Sequence, residues 1–317
     1  MNLTSLPEQF LLGVFNELST YEKICLSDAL MSLQSVSKSL NSLDFSYTNR
    51  ISDEQFYGFL SCFPDNQFIS VNIDNVNWIE NKSICLLTEK NSMSLQFLNI
   101  DGESNTDAVF DWIAKCCNLK SLIVNFAQGL TDEALNKLSS SQILHEICLR
   151  KGNNFTNEGL SIFLSTLDFS QLQDLNLSEC SNLSNGGAFL IATNCPNLKN
   201  LSLCWCWEID ETGIIPIVTT CNKMETMDLT GMHQLTGECF LLIPETMPNL
   251  RHLKLEMCNN IQDDILNMIV IRMKGKLEVI NYYFETIVYD DISNADYLET
   301  MFMLSELNSV GAEISDD

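Results

Sequence analysis

Apolar and polar positions along this chain follow a compound rhythm: two or three apolar residues at spacing two, a polar interval, one further aliphatic, then a run at helical spacing. Four stretches carry it most plainly: LQDLNLSECSNLSN from Leu172, LKNLSLCWCWEIDE from Leu198, METMDLTGMHQLTG from Met224 and LRHLKLEMCNNIQD from Leu250. Each fits L-x-x-L-x-L-x-x-C-x-x-L followed by a polar pair, with Met replacing Leu or Cys in the third. Weaker copies begin at Leu40, Phe68, Leu95, Leu119, Leu144 and Leu277. Successive starts thus lie roughly 26 residues apart, and a fixed period of this size decides an architecture before any local propensity does. Within a copy, alternation such as Leu175, Leu177 or Leu253, Leu255 predicts a short strand with one face inward, the strands stacking in parallel. The next aliphatic turns the chain inward. Ser52, Thr131, Ser184 or Asp210 then stands where a helix N-cap belongs, and a short helix returns across the outer side. Cys116, Cys195 and Cys221 each lie three residues ahead of the next copy's first apolar residue, at the end of that helix.

These copies resemble leucine-rich repeats of the cysteine-containing type, on Cys180-x-x-Leu183 and Cys258-x-x-Ile261 above all, and the resemblance covers about four fifths of the chain. It implies an α/β solenoid, a horseshoe of about ten strand-turn-helix units spanning residues 39–289, whose strand residues line a concave binding face. By register that face begins acidic, with Asp44, Asp74 and Asp101, and becomes mixed. Its candidate partner-binding residues are Phe126, Arg150, Lys151, Trp205, His252, Lys254 and Met257. An aromatic ring beside arginine is the composition of energetic anchors in protein interfaces. For Trp205 two readings stand: an anchor of that kind, or a ring packed against Trp207 and Met257 to cover the ladder.

Residues 1–38 precede the first copy. Ser5 with Glu8, and Ser19 with Glu22, have capping-box form, Pro7 falls in a first turn, and Leu11, Val14, Phe15 and Leu18 recur at helical spacing. Leu6-Pro7-Glu8, Leu11-Leu12, Val14-Phe15 and Leu18 resemble the opening of an F-box. The second half departs from that family, since Val36-Ser37-Lys38-Ser39-Leu40 lacks its tryptophan. The resemblance implies that Leu6, Pro7, Phe10, Leu11, Val14, Phe15 and Leu18 dock a Skp-type adaptor and, through it, a cullin ligase. The competing reading is an amphipathic helix that covers the open edge of the first strand.

Composition narrows the function. With 17 Lys plus Arg against 42 Asp plus Glu, the formal charge is −25, which argues against nucleic acid or an anionic membrane and favours a basic partner. The first lysine is Lys23, so a charged secretory leader is not expected, and the 13 cysteines are read as reduced, most of them as core-filling thiols. No Cys-x-x-Cys pair exists, and Cys206 falls inward while Cys204 falls on the open face; neither metal nor cofactor is expected. His145, His233 and His252 are scattered over different copies, so no enzyme activity is predicted. From Leu277 onward there are ten acidic residues and no basic one. Residues 290–317 are read as an acidic cap or tail, either an amphipathic helix over 296–307 or an interaction tail.

The expectation is a monomeric substrate-recognition adaptor of a Skp-cullin-F-box type ubiquitin ligase, cytoplasmic or nuclear, or a translocated effector in a host cytosol if bacterial. The alternative is a leucine-rich scaffold or inhibitor that captures a basic intracellular protein.

Overall fold

The computed structural model describes residues 40–47, 52–76, 78–103, 107–138, 144–166 and 169–292. The F-box-like segment 1–38 and the helix expected over 296–307 lie outside the described residues. The chain divides into two compact units, the first ending at Phe169 and the second beginning at Ser170.

In the first unit, strands β1 (Ser42–Asp44), β2 (Ser70–Ile73), β3 (Phe97–Asp101), β4 (Ser121–Asn125) and β5 (Glu146–Cys148) pair in parallel, each with the next. Each is followed by a helix: α1 (Asp53–Ser61), α2 (Asn81–Lys90), α3 (Asp107–Ile113), α4 (Asp132–Leu138) and α5 (Asn157–Thr166). Register sets the inward leucine column: Leu43 opposes Val71, Val71 Leu98, Leu98 Leu122, and Leu122 Ile147. All five are buried, and each such side chain withdrawn from water contributes roughly 1.5–3 kcal/mol. Phe45, Phe56 and Phe59 fill the first copy, the ring of Phe45 lying 5.1 and 5.7 Å from the other two in edge-on contact.

The second unit repeats the plan more regularly. Strands β6 (Asp174–Asn176), β7 (Asn200–Ser202), β8 (Thr226–Asp228), β9 (His252–Lys254) and β10 (Glu278–Ile280) pair in parallel. Helices α6 (Asn185–Asn194), α7 (Glu211–Thr220), α8 (Ile243–Thr246) and α9 (Asp263–Arg272) stand between them. In the copy that begins at Met224 a 3-10 segment, Glu238–Leu242, takes most of the helix's place, and Pro244 falls in the first turn of α8, where its missing N–H is harmless.

The capping residues read from the sequence do much of what was expected. Ser52 makes a full capping box with Gln55, and the Asp210 carboxylate accepts the Thr212 N–H at 2.7 Å. Thr131 accepts from Ala134, while Ser184 stands at the cap position without a side-chain capping bond. Residues beside the caps also tie copy to copy. The buried Asp53 carboxylate accepts the Glu80 N–H at 2.8 Å and pairs with Lys82 at 3.1 Å, and Asp132 accepts both the N–H and the hydroxyl of Thr156.

The cysteines of the repeat slot and the helix ends lie in the core as predicted for them, whereas Cys62 and Cys117 are exposed. Cys206 donates its thiol to the Leu177 carbonyl and Cys258 to that of Leu229, both at 3.2 Å, each reaching back one copy. Burial pushes the thiols of Cys116, Cys195 and Cys206 up to about 12 and that of Cys258 up to about 11, which keeps them protonated as donors.

Two features depart from the sequence pattern. Leu253 opposes Val279, where the template begun at Leu277 places Ile280, so that last copy is displaced by one position. Val279 and Asn281 point inward and Ile280 is half-exposed. The chain then reverses into an antiparallel strand, β11 (Thr286–Ile287), where Val279 opposes Ile287. The buried Asn281 side-chain carbonyl makes the reversal by accepting the N–H groups of Tyr283 and Glu285, both at 3.0 Å. The reversal gives the free edge of β10 a partner within the chain.

Candidate protein-binding face

On each strand the inward leucines leave the alternate residues on the open side, and two local devices decide how the strand ends. The first is an Asx turn. Asp44, Asn72, Asn176 and Asp228 accept the N–H two residues on, from Ser46, Asp74, Ser178 and Thr230, at 2.9–3.2 Å. The second is a left-handed residue just before the cysteine slot. Tyr47, Asn75, Phe126, Lys151, Glu179, Trp205 and Met257 all occupy it, with φ of 52° to 61°, and Gly231 does so at 78°. For residues with a Cβ this conformation costs on the order of 1–3 kcal/mol, so the ladder around it must enforce it. It does: the N–H groups of Glu179, Trp205 and Gly231 donate to the carbonyls of Cys204, Thr230 and Glu256 in the following copy, at 2.7–2.8 Å. The outcome in each unit is a column of side chains on one rim, presented side by side.

Of the residues predicted for binding, Phe126, Lys151, Trp205 and Met257 fall in this rim column, Arg150 immediately precedes it, and His252 and Lys254 lie on β9. None of the seven is buried. In the first unit the Lys151 ammonium sits over the Phe126 ring, 4.4 Å from its centroid. In the second, His252 pairs with Glu278 at 3.3 Å and Lys254 with Asp228 at 3.8 Å. Trp205 rests on Gly231, where a Cβ would come within 2.4 Å of the ring, and it meets Trp207 at 6.5 Å and His233 at 5.7 Å, both steeply inclined. The packing reading of Trp205 therefore holds for Trp207, with His233 and Gly231 as the added neighbours. Even so the ring stays half-exposed, and Trp207 is 53% exposed.

The acidic start of the face is also present. Asp74, Asn99 and Asn125 meet on the open side, the Asn125 amide donating to Asp74 at 2.9 Å and to Asn99 at 3.4 Å. Beside them Asp101 is held above the ordinary carboxylate range, by desolvation first and then by the nearby charges of Glu103 and Asp74.

Sequence reasoning named Trp207 as a neighbour of Trp205 but passed over His233 and Gly231, which complete the cluster. Their signal lay in reading copies as columns: Glu179, Trp205, Gly231 and Met257 occupy one column, and only the glycine admits a flat ring above it. It also missed the exposed aromatic turn at Tyr283 and Phe284, created by the β10–β11 reversal. Among the described residues no group of three His, Cys, Asp or Glu is placed to hold a metal, and no helix is long and apolar enough to cross a membrane.

Parallel strands recurring once per copy, each with a returning helix, define a leucine-rich-repeat fold. Among solved structures the chain is similar to the crystal structure of the Rad7 and Elc1 complex in yeast, with a TM-score of 0.66 at 18% identity, covering 80% of this chain and 64% of that one. The chain thus spans just under two thirds of that neighbour's length. It is also similar to the leucine-rich repeat-containing protein LegL7 of Legionella pneumophila, with a TM-score of 0.49 at 13% identity, covering 86% and 92% of the two chains. No family model and no curated protein matches the sequence.

Proposed function

We propose that this protein is a non-catalytic receptor that holds another protein on the open side of its strands and delivers it to a ubiquitin ligase. Residues 1–38 would dock a Skp-type adaptor through Leu6, Pro7, Phe10, Leu11, Val14, Phe15 and Leu18, and the adaptor would connect to a cullin. The observation that carries the reading is the rim column of each unit, with Phe126 and Lys151 in the first and Trp205 and Met257 in the second held in the same strained backbone conformation. Strain repeated in successive copies costs stability, and presentation of those side chains to a partner is the return. Rad7, a neighbour in fold, was crystallised in complex with a second protein, Elc1, which supports an assembly role. Tethering then accounts for activity: a held target raises the effective concentration of its lysines near a separate charged enzyme, and this chain carries out no bond chemistry. The site of action would be the cytoplasm or nucleus.

The test is binding of a purified Skp-type adaptor to the intact chain and to a chain lacking residues 1–38. Binding by the first alone supports the ligase reading, and no binding by the folded intact chain removes it. A second reading, a scaffold that captures a basic protein without any ligase, is favoured by the charge of −25. It expects partner capture to survive loss of residues 1–38 and to weaken as salt rises.

A further inference from the structure

The same backbone seat is filled in two different ways. At Phe126 the next copy supplies Lys151, whose ammonium covers the ring at 4.4 Å. At Trp205 the next copy supplies Gly231, which has no side chain to give. The tryptophan is the stronger cation acceptor of the two rings. Beside it Trp207 is 53% exposed, so the cluster offers two indole rings inclined at 86°. Among the described residues the lysines that cover a ring do so at Trp112 and Phe126.

Charge around the cluster points the same way. Glu179 occupies the preceding rim position, Glu208 follows Trp207, and Glu256 lies in the copy beyond, its carboxylate accepting from the Thr230 hydroxyl at 2.7 Å. Lys254 and His252, on β9 of the same open side, are already matched to Asp228 and Glu278. An apolar guest would satisfy the rings alone. An acidic guest would be repelled by it.

We propose that the Trp205–Trp207 corner is the seat for an arginine or lysine side chain of the bound protein. This rests on the reading that the open strand side holds a protein, and it names the group recognised there. An arginine guanidinium fits best, because it stacks on an indole while donating to carboxylates at its edge. The cation completes from outside the contact that Lys151 makes from within at Phe126.

The probe is a fluorescent peptide of four Arg-Leu repeats and its twin with citrulline in place of arginine, titrated at low salt against the full chain. The arginine peptide is expected to bind and its uncharged twin to bind at least tenfold more weakly. Trp205→Ala should weaken arginine-peptide binding about tenfold, the scale of a cation–π contact relieved of water. Trp205→Leu keeps an apolar side chain at the seat but offers no ring face; it should abolish the preference for arginine over citrulline. Unchanged thermal unfolding separates these effects from misfolding. Equal binding of the two peptides, full binding by Trp205→Ala, or no binding by the wild type overturns the proposal. Adaptor binding through residues 1–38 is measured separately, so failure here with adaptor binding intact sinks this inference alone.

Discussion

Phe126 in the first unit and Trp205 in the second stand at the same step of the repeat, with φ of 52° and 61° and a rim position just before the cysteine slot. Around the first, the neighbouring copy brings a lysine; around the second, a glycine. One residue in the following copy thus decides whether an aromatic ring is satisfied within the molecule or offered outward. The difference shows how a repeat varies without altering its backbone: the inward leucines and the ladder bonds fix the seat, and the rim residue sets which side chain is presented there. The units differ in regularity as well. Strand partners in the second recur at one constant interval, whereas in the first the interval changes from each pair to the next.

If the seat depends on the packed ladder, the largest effect comes from the core beneath it. Leu203, buried two residues before Trp205, should cost about 2–5 kcal/mol when changed to Ala, as measured by urea unfolding. An unchanged midpoint would mean that the strand does not support the rim. Next comes the glycine. Gly231→Ala places a methyl group against the Trp205 ring in a left-handed backbone, and should cost about 1–3 kcal/mol with a shift in tryptophan emission. A stabilised variant would show that the ring does not rest there.

Smaller still is the internal cation: Lys151→Ala should lose about 0.5–1 kcal/mol, without the emission shift expected of Gly231→Ala. The smallest effect concerns the acidic start of the face. Because Asp101 is held above the ordinary carboxylate range, its ionisation opposes folding, and the penalty builds as pH rises from the ordinary carboxylate range and is complete above its raised pKa. Asp101→Asn should therefore stabilise at pH 7 by a few tenths of a kcal/mol, the size usual at a solvent-screened site, and have no effect at about pH 3. An equal gain at both pH values would assign the effect to something other than charge.

Most of the fold was legible because its cause is a periodic burial pattern. Leu175, Leu201, Met227 and Leu253 recur at a constant interval and oppose one another in the strands. The final register was not, since Leu277 satisfies the same template one position out of step, and only strand pairing with Leu253 distinguishes the two alignments. The β10–β11 reversal escaped for a similar reason: it depends on Asn281, whose polar side chain is buried to bond a turn that hydrophobic periodicity does not describe. At the candidate site His252 and Lys254 flank the inward Leu253 on β9, as period two requires. The rim was misread as part of the flat strand face, because a left-handed φ is invisible in a residue such as Trp205 until neighbouring copies are compared column by column.

The central claim is that one chain joins two separable attachments, an adaptor at residues 1–38 and a target on the open strand side. It is tested most directly by measuring, by calorimetry, the affinity of a purified Skp-type adaptor for the intact chain, the chain carrying Leu11→Asp and Val14→Asp, and the Trp205→Ala chain. The account predicts binding by the intact and Trp205→Ala chains and at least a hundredfold loss in the double variant. Equal binding by all three, or none by the folded intact chain, would contradict it.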